Sequence, residues 1–150
     1  SLIKKGLTKD EIKEKMNAAI ESSKLLFTCE NLFSLVKGGR LTVARALIGS
    51  VLRMKPIIKM TDGKLGLYTT KRTYKKIFQV ISDEIKNTID EAKDLFITIT
   101  YTYSKNSAEA LLKEIQNVFP NATISFTYRL GPVMTIHVGN KGFGISWFTA

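Results

Sequence analysis

The sequence is short of the residues on which disulfides and metal sites depend, and of long apolar runs. It has one cysteine, one histidine and three prolines in 150 residues. A lone cysteine excludes an intrachain disulfide and favours a reducing, cytoplasmic location. Cys29 and His137 lie far apart in the sequence, so their spacing predicts no zinc site. No apolar run approaches the roughly 18 residues of a membrane span, and we expect no signal peptide.

The short motifs of common catalytic and nucleotide-binding sites are also missing. The sequence has no dinucleotide fingerprint, no phosphate-binding loop and no Gly-x-Ser-x-Gly elbow. The acidic pairs Asp83-Glu84 and Asp90-Glu91 fall on polar helix faces or helix ends, where we expect them to be solvated. Cys29 is predicted to be a small buried hydrophobe, because the sequence places no base beside it. No catalytic residue is predicted.

Basic residues outnumber acidic ones, 23 against 13, which gives a formal net charge of +10. Such an excess favours an anionic partner, whether nucleic acid, an acidic protein surface, phosphate or anionic lipid. The lysines are spread over the chain without a run longer than two, which is typical of a solvated surface. The basic groove with stacking aromatic residues that single-stranded nucleic acid requires is not visible.

The most informative stretch runs from Lys37 to Ile58, KGGRLTVARALIGSVLRMKPII. Either of its twin glycines can end a helix, and Thr42 can cap the next one. One face of that next helix is apolar, formed by Ala44, Leu47, Ile48, Val51 and Leu52. Gly49 and Ser50 interrupt the helix and allow something to approach its backbone closely. Two interpretations remain open here: tight packing on a sheet, or an apolar ligand along this face with Arg40 at the mouth.

Periodicity and capping residues predict the other elements. Thr8 and Glu11 have capping-box spacing at the start of a helix whose predicted buried stripe is Ile12, Met16, Ala19 and Ile20. Further helices are expected at 30–37, 73–87 and 106–119. Strands are expected at 25–29, 57–60, 65–70, 95–103, 123–128, 133–138 and 143–148, with Asp62-Gly63 as a hairpin turn. The predicted fold is one α/β domain, a two-layer sandwich of a mixed β-sheet with helices packed on it.

His137 is the one imidazole of the chain, and we place it at the end of the strand predicted at 133–138. A single strand histidine is usually a structural residue that is hydrogen-bonded or exposed. Its position just before the glycine-rich turn Gly139-Asn140-Lys141-Gly142 favours a functional role, because functional groups collect on loops held by rigid strands. Both interpretations stay open on the residues alone.

The pattern K-G-G-R-L, a small-residue helix with G-S, then K-P-I and a D-G hairpin resembles the C-terminal domain of the DegV family. These are two-domain bacterial fatty-acid-binding proteins, some of which present a bound fatty acid to a fatty acid kinase. The His137-Val138-Gly139 segment also resembles that family, in which a histidine lies near the carboxylate. The family often continues with proline and glycine, whereas this chain has Asn140-Lys141-Gly142, so we expect a different loop shape.

The resemblance implies a non-catalytic carrier of a long-chain fatty acid with no further cofactor. By this resemblance, His137 and Arg40 would orient the carboxylate. The acyl chain would lie between two domains against Leu47, Ile48, Ser50, Val51 and Ile57. Arg40, Lys71 and Arg72 would meet a fatty acid kinase or the phosphate that it transfers. The resemblance spans the whole chain and implies that residues 1–150 are the C-terminal lipid-binding domain, without the N-terminal one.

Two other functions compete with the carrier interpretation. A basic module that binds nucleic acid or another protein is the alternative that the net charge supports. A small hydrolase or transferase acting through His137 is the second. It is disfavoured because no nucleophile or orienting carboxylate accompanies the histidine at a recognisable spacing.

Overall fold

The computed structural model describes residues 6–30, 32–39, 41 and 54–150. These residues contain five helices: α1 (Lys9–Ser22), α2 (Leu32–Lys37), α3 (Tyr74–Thr88), α4 (Asn106–Val118) and α5 (Pro132–Val138). They also contain six strands: β1 (Lys24–Thr28), β2 (Lys55–Thr61), β3 (Lys64–Lys71), β4 (Leu95–Tyr101), β5 (Thr123–Arg129) and β6 (Phe143–Thr149). The helix predicted to follow Thr42 lies outside the described residues.

The six strands form one mixed sheet in the order β3-β2-β1-β6-β4-β5. Only β4 and β5 are parallel, and α4 makes the crossover between them. All other neighbouring strands are antiparallel. The predicted α/β fold with helices packed on a mixed sheet is therefore confirmed.

The larger hydrophobic core lies between the sheet and helices α3 and α4. Alternate residues along the strands point into it, as the period of two requires. Its members from the strands are Leu26, Ile57, Ile97, Ile99, Phe143, Ile145 and Trp147, and from the helices Ile77, Phe78, Ile81, Ile85, Ala108, Leu111 and Ile115. Burial of this much apolar surface is the main force that holds the domain together.

A smaller core covers part of the opposite face of the sheet. It consists of Phe27, Cys29, Leu32, Leu35, Leu41, Ile58 and Val138. Helix α2 and the end of α5 supply its helical side, so the two helices pack near each other over β1 and β2. Cys29 is buried in this core, as the sequence predicted.

Local signals predicted the hairpin and two of the helix starts correctly. The Asp62-Gly63 turn joins β2 and β3, and both residues have positive φ, as a type I′ turn requires. Thr8 and Glu11 form the predicted capping box of α1, and the hydroxyl of Thr73 accepts from the Lys76 N–H at the start of α3. These features need only a few neighbouring residues, which is why the sequence reveals them.

The predicted buried stripe of α1 is wrong. No residue of α1 is buried, and Met16 and Ile20 are more than half exposed. The helix contacts the sheet mainly beside β6, where the Ser22 hydroxyl donates to the Thr149 carbonyl at 3.2 Å. The apolar spacing correctly indicates a helix, but it does not determine whether the described domain covers that face.

The strand predicted at 133–138 is also wrong, because this segment is helix α5. Pro132 occupies the first helical turn, where its missing N–H costs nothing, and Gly139 ends the helix with φ of 89°. The Thr135 N–H donates to the Gly131 carbonyl, and the Gly139 N–H donates to the Thr135 carbonyl. Proline before the segment and glycine after it are the signals of a short helix, and they outweigh the brief alternation between them.

Glu84 was expected to be solvated but is only 7% exposed. Its carboxylate accepts from the Lys59 ammonium at 2.5 Å and from the Tyr68 hydroxyl at 2.6 Å, which ties α3 to the β2–β3 hairpin. Burial alone raises the pKa of Glu84, but these two hydrogen bonds and the charge of Lys59 outweigh it and hold the pKa below 4.5. The hydrogen bond that the Tyr68 hydroxyl donates to Glu84 raises the pKa of Tyr68.

We expect Glu84→Gln to lower the free energy of unfolding at neutral pH by about 2 kcal/mol, since hydrogen bonds to a charged group are lost. A lowered folded-state pKa means that the unfolded chain binds the proton more tightly. The stabilisation is therefore complete above the ordinary pKa of 4.5 and is lost as the pH falls through the lowered value. Urea unfolding at neutral and successively lower pH measures this.

The matched control is Glu109→Gln, which removes the exposed Lys105–Glu109 pair on α4. Exposed i,i+4 pairs contribute only about 0.3–0.5 kcal/mol. Equal losses in the two variants, or a Glu84 effect that persists unchanged at acid pH, would contradict the assignment.

Candidate functional site

One end of the sheet carries three of the candidate site residues, His137, Lys71 and Arg72. Thr28 pairs with both Ile57 and Phe143, and Tyr101 pairs with Phe143, so β1 and β4 end where β2 and β6 begin. Strands β3 and β5 end there too. We call this the carboxyl end of the sheet. Helices α2, α3, α4 and α5 all follow strands at this end, as ligand sites of α/β folds commonly require.

His137 lies on α5 at the carboxyl end and is half-buried. A Cβ placed on Gly38, just after α2, would lie 2.9 Å from its Cε1 and 3.1 Å from its Nδ1. The imidazole therefore packs directly on the backbone of Gly38. The structure brings the twin-glycine motif and the single histidine, which are far apart in the sequence, into contact.

Glu30 joins the end of β1 to the end of α5. Its N–H donates to the Val138 carbonyl at 2.9 Å, and its carboxylate accepts from the Asn140 N–H at 2.6 Å. A Cβ on Gly139 would lie 2.6 Å from the Glu30 carboxylate, so only glycine fits between them. These two hydrogen bonds fix the last turn of α5, which carries His137, to the segment that follows β1.

Thr102 holds the other side of the same loop. It is fully buried, and its hydroxyl donates to the Gly139 carbonyl at 2.6 Å and accepts from the Gly142 N–H at 3.1 Å. The Asn140 carbonyl accepts from the N–H groups of Tyr103 and Ser104. The loop of residues 139–142 therefore has most of its backbone groups hydrogen-bonded to Glu30, which follows β1, and to the segment after β4.

Cations gather at the carboxyl end on the β3 side. Lys71 ends β3 directly opposite Lys55 of β2, and Arg72 follows it at the surface. Like charges opposite each other destabilise a sheet. The Lys55 ammonium lies 4.3 Å from the centre of the Tyr74 ring, a cation–π contact. In the part of the chain that the structure describes, neither Lys71 nor Arg72 forms an ion pair.

Several predicted site residues lie outside the described residues. These are Arg40, Leu47, Ile48, Ser50 and Val51. Ile57 is described and fully buried in the larger core, on the face of the sheet opposite the core that contains Val138. Ile57 is therefore accounted for by packing against α3 and does not share a surface with His137.

Other features do not belong to this site. A cavity of about 270 Å³ is lined by Lys59, Thr61, Lys64, Leu65, Gly66, Leu67 and Tyr68, towards the hairpin turn and away from the carboxyl end. Over the described residues, no group of three His, Cys, Asp or Glu side chains is placed to hold a metal ion. Among the helices that the structure describes, none has the length and apolarity needed to cross a membrane.

Sequence reasoning missed the supporting roles of Glu30 and Thr102. The available signals were indirect: Glu30 follows a buried strand, and Thr102 falls on the more polar face of the strand predicted at 95–103. Their partners lie 110 and 37 positions away, so no local pattern could have paired them.

We expect Thr102→Val to lower the free energy of unfolding by about 1–3 kcal/mol. Valine is nearly the same size as threonine but has no hydroxyl, so the buried Gly142 N–H and Gly139 carbonyl lose their hydrogen-bond partner. Chemical denaturation measures the loss. Thr98→Val, half-buried within β4 and away from the loop, is the control and should change stability by less than about 0.5 kcal/mol. Equal stability of the Thr102 variant and the wild type would show that the hydroxyl does not hold the loop.

Comparison with known proteins identifies the family. The model of a family described as the DegV family of uncharacterised proteins matches residues 1–150. A DegV domain-containing protein of Halalkalibacterium halodurans is 31% identical over 139 residues, covering 93% of this chain and 46% of the relative. One from Listeria monocytogenes is 30% identical over 138 residues, covering 92% and 48%. The chain thus spans about half the length of the curated relatives it matches.

Solved structures agree with this assignment. A fatty acid binding DegV family protein of Streptococcus agalactiae is 25% identical with a TM-score of 0.78, covering 98% of this chain and 52% of the other. The fatty acid kinase B3 protein of Streptococcus pneumoniae, loaded with linoleic acid, is 27% identical with a TM-score of 0.79, covering 99% and 52%. A Thermus thermophilus DegV family protein, at 20% identity and a TM-score of 0.83 over 99% and 53%, shares the fold. The chain belongs to the DegV family.

Proposed function

We propose that this chain is the C-terminal lipid-binding domain of a two-domain carrier that sequesters a long-chain fatty acid. The observation that carries the proposal is the contact between His137 and Gly38, which brings the single imidazole beside the turn that leads to Arg40. Two proteins at least 25% identical to this chain are described as binding fatty acid or as loaded with linoleic acid. Both are about twice as long as this chain, which supports a second domain as the other wall of the site.

In the proposed complex, His137 and Arg40 orient the carboxylate. A histidine or arginine can donate charge-assisted hydrogen bonds to a carboxylate. The acyl chain lies against Leu47, Ile48 and Val51, which belong to the predicted apolar helix face, and against Ser50, which interrupts that helix. Each buried methylene contributes about 0.8 kcal/mol, so a long acyl chain needs few polar contacts to bind tightly.

We infer that the protein does not itself catalyse a reaction but presents its fatty acid to a fatty acid kinase for acyl-phosphate formation. One relative is described as a fatty acid kinase B3 protein, which supports this partner. Lys71 and Arg72 stand at the carboxyl end without carboxylate partners among the described residues. Together with Arg40 they are suited to an acidic protein surface or to the transferred phosphate. The buried single cysteine is in keeping with a cytoplasmic carrier.

We expect His137→Ala, made in the two-domain protein, to weaken fatty-acid binding by roughly ten- to hundredfold, the equivalent of one hydrogen bond to a charged group. Titration with a fluorescent fatty acid measures the affinity, and mass spectrometry of co-purifying lipid identifies the natural ligand. Thr135→Ala, on the same helix as His137, is the control and should retain the affinity. Wild-type binding and wild-type acyl-phosphate formation by the His137 variant would refute its carboxylate role.

We expect the double variant Lys71→Ala, Arg72→Ala to bind fatty acid normally but to support slower acyl-phosphate formation by a fatty acid kinase. The reason is that the charges of Lys71 and Arg72 attract an anionic partner and raise the rate of association, but take no part in holding the fatty acid. The rate should also depend less on salt than the wild-type rate does. Lys64→Ala, at the hairpin turn on the far end of the sheet, is the charge control. An unchanged rate at low salt would exclude this surface from docking.

A further inference from the structure

Gly38 is the point at which two separate parts of the sequence meet. The position that its Cβ would occupy lies 2.9 Å from Cε1 and 3.1 Å from Nδ1 of His137, and 3.1 Å from the Ser34 carbonyl oxygen. Real Cβ atoms essentially never lie closer than 3.0 Å to another heavy atom. A side chain at residue 38 would therefore compete with the imidazole for the same space.

The two glycines of the motif serve different purposes. Gly39 has φ of 67°, in the left-handed region, and a Cβ on it would meet nothing within 4 Å. It is a glycine because of its backbone conformation, as helix ends commonly require. The φ of Gly38 does not lie in that region, and its N–H still donates to the Ser34 carbonyl at 3.1 Å. Gly38 is needed for space and not for its conformation.

The imidazole has little freedom to retreat with its helix. The end of α5 is held to β1 by the Glu30 N–H on the Val138 carbonyl and by the Glu30 carboxylate on the Asn140 N–H. Val138, the next residue, is buried in the smaller core together with Leu32 and Leu35 of α2. A Cβ at residue 38 would therefore turn the His137 side chain away by rotation, while the backbone of α5 stays in place.

We propose that Gly38 is a positioning residue for His137: its missing side chain forms the seat on which the imidazole rests. The significance of this seat rests on the proposed function, in which His137 meets the fatty-acid carboxylate. Arg40, the other group proposed to meet the carboxylate, follows two residues later in the sequence. The specificity of the site for a carboxylate would then depend on a residue that never touches the ligand.

Proton NMR of the 150-residue chain tests the seat directly, because a single histidine gives a single imidazole Hε1 signal. In the wild type we expect a nuclear Overhauser effect between the Gly38 Hα protons and His137 Hε1. Gly38→Ala should abolish the cross-peak between the Hα of residue 38 and His137 Hε1, and should shift the Hε1 signal at constant pH. Gly39→Ala is the matched control: it should lower the melting temperature through backbone strain, but leave the Hε1 signal in place.

Fatty-acid titration of the same variants in the two-domain protein separates this inference from the proposed function. If the seat and the carboxylate role are both correct, Gly38→Ala weakens fatty-acid binding by roughly ten- to hundredfold, as His137→Ala does. The variant that combines Gly38→Ala with His137→Ala then binds no more weakly than either single variant. If Gly38→Ala moves the Hε1 signal while His137→Ala leaves the affinity unchanged, the seat stands and the carboxylate role fails. Absence of the wild-type Overhauser effect overturns the seat itself, and this measurement does not depend on the folding of any variant.

Discussion

The candidate site depends on how the end of α5 is attached to the end of β1. Two hydrogen bonds of Glu30, one from its backbone and one to its carboxylate, hold Val138 and Asn140. Thr102 holds the same loop from the β4 side. With the helix end fixed, Val138 faces the smaller core and His137 reaches Gly38. A short helix of seven residues has little stability of its own, so these contacts decide where its side chains lie.

The two hydrophobic cores lie on opposite faces of the sheet and have different roles. The larger core, under α3 and α4, contains most of the fully buried side chains of the described residues and accounts for Ile57, for which the family resemblance implies a place in the acyl-chain pocket. The smaller core lies on the other face and places α2 and α5 side by side. Among the described residues, most of the fully buried side chains therefore belong to one face of the sheet. His137 and the glycines that it adjoins lie apart from that larger core.

The sequence predicted well what short segments determine by themselves. The Asp62-Gly63 hairpin and the caps at Thr8 and Thr73 were correct, because each depends on residues three or fewer positions apart. The resemblance correctly identified the family and the overall fold. Errors arose where a pattern does not name its partner: the apolar stripe of α1 is largely exposed, and Glu84 is buried because Lys59 and Tyr68, 25 and 16 positions away, reach it. For α5, Pro132 and Gly139 were better guides than the alternation between them.

The site shows the same division at the level of single residues. Composition and motif drew attention to His137 and to the twin glycines, but neither could show that the imidazole rests on Gly38. That contact depends on α2 and α5 following different strands to the same end of the sheet, which is a property of the topology. An imidazole held against a glycine backbone is preorganised, so in the proposed carrier less conformational entropy would be lost on binding a carboxylate. A glycine can therefore contribute to ligand affinity through the space that it leaves.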